Sequence, residues 1–451
     1  MRLKYRGLEY FLFAGYLVLF AWLVTKTKFF NQSGLSHSQL IIVFLLKVMA
    51  GIFYGWVGIY YGNHAQMVDT WSFHYNSLRE TQLLYRNPHE YFVNLFRDPY
   101  EGGVTKFLQS SDSYWNDLKG NSFIKILSIF NIFSFGNYYT NVIFYSFISM
   151  FGPIAIYKVM HDVYPGKKVQ VLIAVFLIPS FLYWTSGLHK EGLIFLGFSL
   201  VIFNFYFSIK RNRVSPANIL LILLGLLLII VLRNFLIVIL VPALIAWFIA
   251  ARFLKKPKVV FAGCYIFFVI FFFTAKYISP NLDFPQAVVT KQKEFVALVG
   301  NSSVPMKQLE PSFSSFVVNL PQAVSLSMLR PFPSDVRHIL SLAAAAETDI
   351  LLLLLLCFVV WRKRDEKREQ SVYFNYFCLF LSLSVLITIG YVVNNLGAIV
   401  RYRSIVLPLV LTPVFCGINW ETIYGVLSNN IKNKSNTEKT QDFLKETSSQ
   451  P

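Results

Sequence analysis

Charge is the first thing this sequence lacks. Of its 451 residues only 14% are Asp, Glu, Lys or Arg, against about 25% in ordinary soluble proteins. With 55% hydrophobic and 17% aromatic residues and a mean hydropathy of +0.52, the chain has too few polar groups to cover a water-soluble globule. Acids are scarcer still, 23 against 41 basic residues, for a formal charge of +18. That excess does not point to nucleic acid, because the basic residues stand in short runs beside apolar segments, where lysine and arginine set membrane topology. Cysteine is rare as well. All four (Cys264, Cys357, Cys378, Cys416) fall inside apolar segments without paired spacing, which argues against a disulfide framework, a zinc site and redox chemistry. The first apolar run lacks a small-residue cleavage site and further spans follow it, so a cleaved signal peptide is not expected.

What is there is a series of apolar runs, at about 9–25, 40–61, 138–159, 168–186, 190–208, 217–232, 234–251, 259–278, 339–361, 372–393 and 404–424. Each is long enough to cross a bilayer or nearly so. Runs such as "ILLILLGLLLIIVL" show no alternation of apolar and polar side chains, which argues against a β-barrel. Backbone groups in lipid must then be satisfied within helices. The expected fold is all-α, a polytopic transmembrane helical bundle of about 11 spans with short external amphipathic or re-entrant helices. It occupies residues 1–427, and a polar tail, 428–451, reads as disordered and cytoplasmic.

The most basic connections, 210–213, 252–258 and 362–368, belong on the cytoplasmic side. Alternation then puts "GLHKE" (187–191) outside, together with the segments 62–137 and 279–338 and the stretch 394–403. Residues 62–121 hold seven acids against five basic residues, unlike the cytoplasmic connections. One conflict remains. Eleven spans place the N-terminus outside, although "MRLKYR" carries three basic residues. Letting 123–135 span would reverse this, but thirteen residues rise only about 20 Å as a helix, short of a roughly 30 Å core. It reads better as an interfacial or re-entrant helix.

Five constellations could carry chemistry. In "YYGNHAQMVDTWSFHY", Asp69 follows the second span, with His64 and His74 on either side. Such an aspartate suits a general base or a divalent metal, and equally a helix start. In "PSFLYWTSGLHKEGLIF", Glu191 is accounted for as a first-turn acid that complements the helix dipole. His189 and Lys190 are not, since few cations are expected outside, and they suggest a phosphate site at a helix N-terminus. Arg233, alone in "LLLIIVLRNFLIVIL", either faces a cavity or partner or is the tip of a hairpin. Arg330 and Arg337 precede the ninth span, which carries Glu347 and Asp349 in its first third. Arg401 and Arg403, in "NNLGAIVRYRSIVLPLV", stand at an outer membrane face, where they are either phosphate ligands or snorkelling anchors.

In the order of these parts the chain resembles bacterial polytopic glycosyltransferases of the GT-C type and the related surface-polysaccharide polymerases. The motifs are "MVDTWSFHY", "PSFLYWTSGLHKEGLIF", "LRPFP" before a glutamate-bearing span, and "VRYRSIVLPLV". The resemblance implies transfer of a sugar or glycan from a polyprenyl-phosphate-linked donor at the external face of the inner membrane. It casts Asp69 as the catalytic base or metal-site residue. It gives phosphate binding to Arg401 and Arg403, with Lys190 assisting. The topology adds His189, Arg330 and Arg337 on the same face as further phosphate-binding candidates, with His74, Arg233 and Glu347 in support. Two departures stand against the resemblance: Asp69 follows the second span rather than the first, and no separate soluble domain is present. No cofactor is fixed beyond the option of a divalent metal. The partners implied are the polyprenyl-linked glycan and the bilayer. A flippase of lipid-linked glycans, or a non-catalytic envelope scaffold, would need much of the same cationic cavity.

Overall fold

The computed structural model describes residues 6–61, 69–109, 112–254, 256–298, 300–363, 369–423 and 425. His64 and the tail 428–451 lie outside the described residues. The described chain is a helical bundle. Its helices are α1 (Arg6–Lys26), α2 (His37–Tyr60), α3 (Asp69–Arg86), α4 (Tyr114–Ser134), α5 (Tyr138–Val163), α6 (Lys168–Phe176), α7 (Pro179–Ser186), α8 (Glu191–Lys210) and α9 (Pro216–Arg233). After them come α10 (Phe235–Ile249), α11 (Pro257–Thr274), α12 (Phe284–Ala297), α13 (Phe313–Val324), α14 (Ile339–Val360), α15 (Glu369–Val392), α16 (Leu396–Ser404) and α17 (Leu407–Gly417). Among the described residues, nine helices are long and apolar enough to cross a membrane, and eleven spans result if α6 with α7 and α16 with α17 each count as one. Ten of these overlie runs read from the sequence; the last extends over 396–417 rather than 404–424, so α16 occupies most of the stretch read as an external connection.

Proline stands at both breaks. Pro179 opens α7 and Pro408 lies in the first turn of α17. Proline suits a helix start because its missing N–H has no partner there. It also disfavours helical backbone at the residue before it: Ile178 is extended, whereas Leu407 stays helical before Pro408, so this effect accounts for the first break only. The helices bend by 51° at the first break and by 68° at the second.

The core lies among α2, α5, α8 and the helices around them. Glycine lets helices touch where α8 meets α9: a Cβ on Gly225 would come within 2.7 Å of the Gly197 carbonyl oxygen. By contrast α14 is peripheral, with only Ala345, Glu347 and Thr348 buried along its 22 residues.

Segment 123–135 is the second half of α4, which packs against α3, α5 and α9. Several of its polar groups bond to α3. Lys125 Nζ donates to Glu80 at 2.5 Å, and Asn131 donates to Ser77 Oγ at 2.9 Å and to Thr81 Oγ1 at 3.2 Å.

Polar contacts sort the connections into two ends. At one, Lys210 pairs with Asp162 at 2.6 Å, Arg252 donates to Asn212, and Lys363 N–H donates to Gly417 O at 2.9 Å. At the other end stand Asp69, the 187–190 turn, Arg233 and Arg401. The start of α1 belongs to this second end, since Glu9 meets Asn137 and Tyr16 donates to Phe133 O at 3.1 Å. The start of α1 therefore lies at the same end as Asp69, as an eleven-span count requires. Labelling with a membrane-impermeant maleimide, in a background without the native cysteines, checks the orientation. Glu101→Cys should react in intact cells and Arg213→Cys only after permeabilisation; the reverse pattern would invert the topology.

Candidate functional site

Three breaks in the helices bring the charged residues together. The turn between α7 and α8 carries His189 and ends at Glu191. The junction of α9 and α10 presents Arg233, and α16 presents Arg401.

Close packing fixes the first turn. A Cβ on Gly187 would overlap the Tyr54 ring, and one on Gly51 would lie 2.5 Å from the Ser186 carbonyl oxygen. Lys47 Nζ, buried in α2, donates to Thr185 O at 3.1 Å and to Ser186 Oγ at 3.3 Å. Thr70 Oγ1 donates to Leu188 O at 3.1 Å, and Tyr145 OH donates to His189 O.

Glu191 is the centre of the site. It is fully buried and its carboxylate serves both arginines and the histidine. Arg233 Nη2 donates to Oε1 at 2.7 Å, Arg401 Nε lies 3.6 Å from the same oxygen, and His189 Nδ1 is hydrogen-bonded to Oε2. A carboxylate accepts only, so Nδ1–H donates to Glu191 and Nε2 is turned toward Asp69, 3.6 Å away, and Arg401, 3.5 Å away. Arg401 Nη1 also donates to Asp69 Oδ2 at 3.1 Å. Aromatic faces cover the cations: Arg233 lies 4.2 Å and Arg401 4.9 Å from the Tyr402 ring centre. Two guanidiniums face the two carboxylates, with His189 between them.

Asp69 is the member that meets open space, with 56% of its side chain exposed. It lines a cavity of about 650 Å³ with Arg401, Tyr54, Tyr183 and Trp184. The roof is polar and the floor apolar. Asn301, Ser302, Arg337, His338 and Asn395 are on the polar side, and Phe53, Leu182, Ala343, Ala344 and Glu347 lie deeper. The roof is stitched to α16 by Ser302 Oγ donating to Asn395 Oδ1 at 3.1 Å and by Leu396 N–H donating to Ser302 O at 3.0 Å. The His189 imidazole, followed by the Arg401 guanidinium, holds the Asp69 carboxyl well below the ordinary range and outweighs the upward push of burial.

The remaining sequence-predicted residues take different places. His189 is 2% exposed and stands behind Asp69, so it does not present itself to a phosphate. Lys190 faces the Phe73 ring at 5.0 Å and does not line the cavity. Arg330 lies 3.6 Å from Asp335. Arg337 is exposed at the rim and donates to Asn301 O. Arg403, 2% exposed, turns into the protein. It donates to Arg330 O at 2.7 Å and Thr348 Oγ1 at 2.6 Å, which makes it a brace between α14 and α16. Arg233 is both hairpin tip and buried partner. Glu347 reaches the cavity floor, whereas Asp349 is exposed on the outside of α14. His74 packs between Trp71 and Tyr138, away from the cavity.

The residues do not fit a divalent metal. The Asp69 and Glu191 carboxylates already face arginines, and among the described residues no group of three His, Cys, Asp or Glu converges for one.

The chain matches no family model, no curated protein and no solved structure.

Removing one partner of a buried ion pair typically costs about 3–5 kcal/mol. Glu191→Ala strands Arg233, leaves Arg401 to Asp69 alone, and should destabilise the purified protein by about that much, read as apparent melting in detergent, with Asp69→Ala costing clearly less because Asp69 is half exposed. His74 supplies a pH test. Burial pushes its pKa down to about 4, so the folded protein keeps the ring neutral while the unfolded chain protonates it below about 6.5. The unfolded state then binds more protons, and stability falls as pH drops from about 6.5 to about 4. His74→Gln should flatten that part of the melting profile.

Proposed function

We propose that this chain is a membrane glycosyltransferase or glycan polymerase that takes a sugar from a polyprenyl-phosphate-linked donor at the external face of a bacterial inner membrane. The observation that carries the reading is the cavity at the end of the bundle opposite the basic connections, with the Asp69 carboxylate exposed in it beside Arg401. By the positive-inside rule that end is external. Its polar roof, aromatic wall and apolar floor suit a ligand that is part sugar, part phosphate and part lipid.

In this reading an acceptor hydroxyl attacks the anomeric carbon, the bond from that carbon to the phosphate oxygen breaks, and its electron pair leaves with the phosphate. Arg401 and rim Arg337 stabilise the charge that develops there. Asp69 takes the hydroxyl proton. Its pairing with Arg401 makes it a weak base at rest. A donor phosphate that draws Arg401 toward itself removes that pairing and raises the basicity of Asp69 when the proton must move. Glu191 keeps His189 and Arg233 in place throughout.

One observation favours a second reading. The two bent pairs, α6 with α7 and α16 with α17, contribute to the cavity wall, and discontinuous helices around a central site are a feature of transporters. A flippase would use the same cavity without a base.

The two part on product. Purified protein is incubated with lipid-linked oligosaccharide and an acceptor glycan, and products are weighed by mass spectrometry. Transfer or chain extension is expected, lowered about 10²- to 10⁴-fold in Asp69→Asn, the usual range for a general base, with the variant still in the membrane. Full activity in Asp69→Asn would remove the base assignment, and passage of a labelled lipid-linked glycan between leaflets without extension would favour the flippase.

A further inference from the structure

The floor of the cavity holds a polar pair that the transfer reading leaves unused. Glu347 and Ser180, each 8% exposed, both line it. Glu347 Oε2 accepts the backbone N–H of Ser180 at 2.6 Å, which caps the first turn of α7. The other carboxylate oxygen, Oε1, has no hydrogen-bond partner, and neither has Ser180 Oγ. Native proteins rarely bury such groups unpaired, and those that are unpaired commonly mark a place where something else binds.

The chemistry of the two atoms narrows the ligand. Oε1 is acceptor only, whereas Ser180 Oγ both donates and accepts. One ligand hydroxyl satisfies both, donating to Glu347 and accepting from Ser180. A cation suits the place less well. Arg403 donates to Thr348 Oγ1, on the residue next to Glu347, at 2.6 Å, so a buried positive charge already stands behind the carboxylate. A metal ion would also need several more oxygens, and among the described residues no group of three His, Cys, Asp or Glu converges for one. The faces of Tyr183 and Trp184 line the same cavity, and aromatic faces suit the C–H side of a sugar ring.

We propose that Glu347 and Ser180 form a hydroxyl-recognition subsite that holds a sugar of the cavity's ligand from below, while Asp69 and Arg401 act at its other end. The proposal rests on the reading of this cavity as a glycan site and names the contact that positions the sugar.

The probe is radiolabelled octyl β-D-glucoside below its micellar concentration, bound to the full-length protein in nanodiscs, with empty nanodiscs as background. Saturable binding is expected, weakened at least tenfold by both Ser180→Ala and Glu347→Gln, and not displaced by octyltrimethylammonium. Ser180→Ala keeps the backbone N–H and therefore the α7 cap, so its result stands even if Glu347→Gln fails to fold. Absence of saturable binding, or unchanged affinity in Ser180→Ala, would mean that water alone satisfies the pair and would overturn the subsite. Displacement by octyltrimethylammonium would overturn it in favour of a cation site. Wild-type protein that binds the glucoside with the expected Ser180 dependence but transfers no sugar would overturn the transfer reading and leave the subsite standing.

Discussion

A single buried carboxylate holds the charged end of this bundle together. Glu191 has no exposed surface, and an ion in such a place is costly unless it is paired and fully hydrogen-bonded. Its two oxygens meet that demand with partners from separate parts of the chain: Arg233, 42 residues on, Arg401 on α16, and His189 in the preceding turn. Without it Arg233 would lose its carboxylate partner, and Arg401 and His189 would keep Asp69 alone. The local role of a first-turn acid at a helix N-terminus remains true, and it also explains why the carboxylate lies at depth: the start of α8 is the buried corner where three helix breaks meet.

The pairing within this cluster shapes what the cavity can do. Arg401 is shared between Glu191 and Asp69, so a bound phosphate competes with carboxylates for the same guanidinium. Arg337 at the rim faces no such competitor among its described contacts. A ligand approaching from outside therefore meets Arg337 first, and Arg401 becomes available only as Asp69 is released. Positioning by the neutral polar roof, from Asn301, Ser302 and Asn395, involves no such exchange.

Most of the fold was legible in the sequence, because a bilayer imposes helices and helices of a given length. All eleven apolar runs overlap helices or bent pairs. Composition could not reveal the bends, although Pro179 and Pro408 marked both. In the site, the same anomaly rule that singled out Arg233 and Arg401, a charge where lipid would forbid it, located residues that now stand in one network. It worked less well where a local explanation sufficed. Glu191 was accounted for by the helix dipole, which hid its long-range role. Lys190 and Arg403 have the right residue type and side of the membrane, but side-chain direction is set by packing, and theirs lead to Phe73 and Thr348. Lys47, alone in "LIIVFLLKVMAGIF", satisfied the anomaly rule and went unremarked because its partners are backbone and hydroxyl groups 138 and 139 residues away.

Lys47 also bears on how the protein is made. An ammonium near the middle of a lipid-exposed helix costs about 2.5–3.5 kcal/mol on insertion scales. In the finished bundle this charge is met by Thr185 O and Ser186 Oγ at the end of α7, which the ribosome supplies long after α2. During synthesis α2 is therefore an incomplete membrane helix, best kept beside the insertion machinery or the growing α5 until its lysine finds the α7 carbonyl. Assembly of the bundle is then tied to the arrival of the same turn that carries His189, so the charged end forms late and forms together.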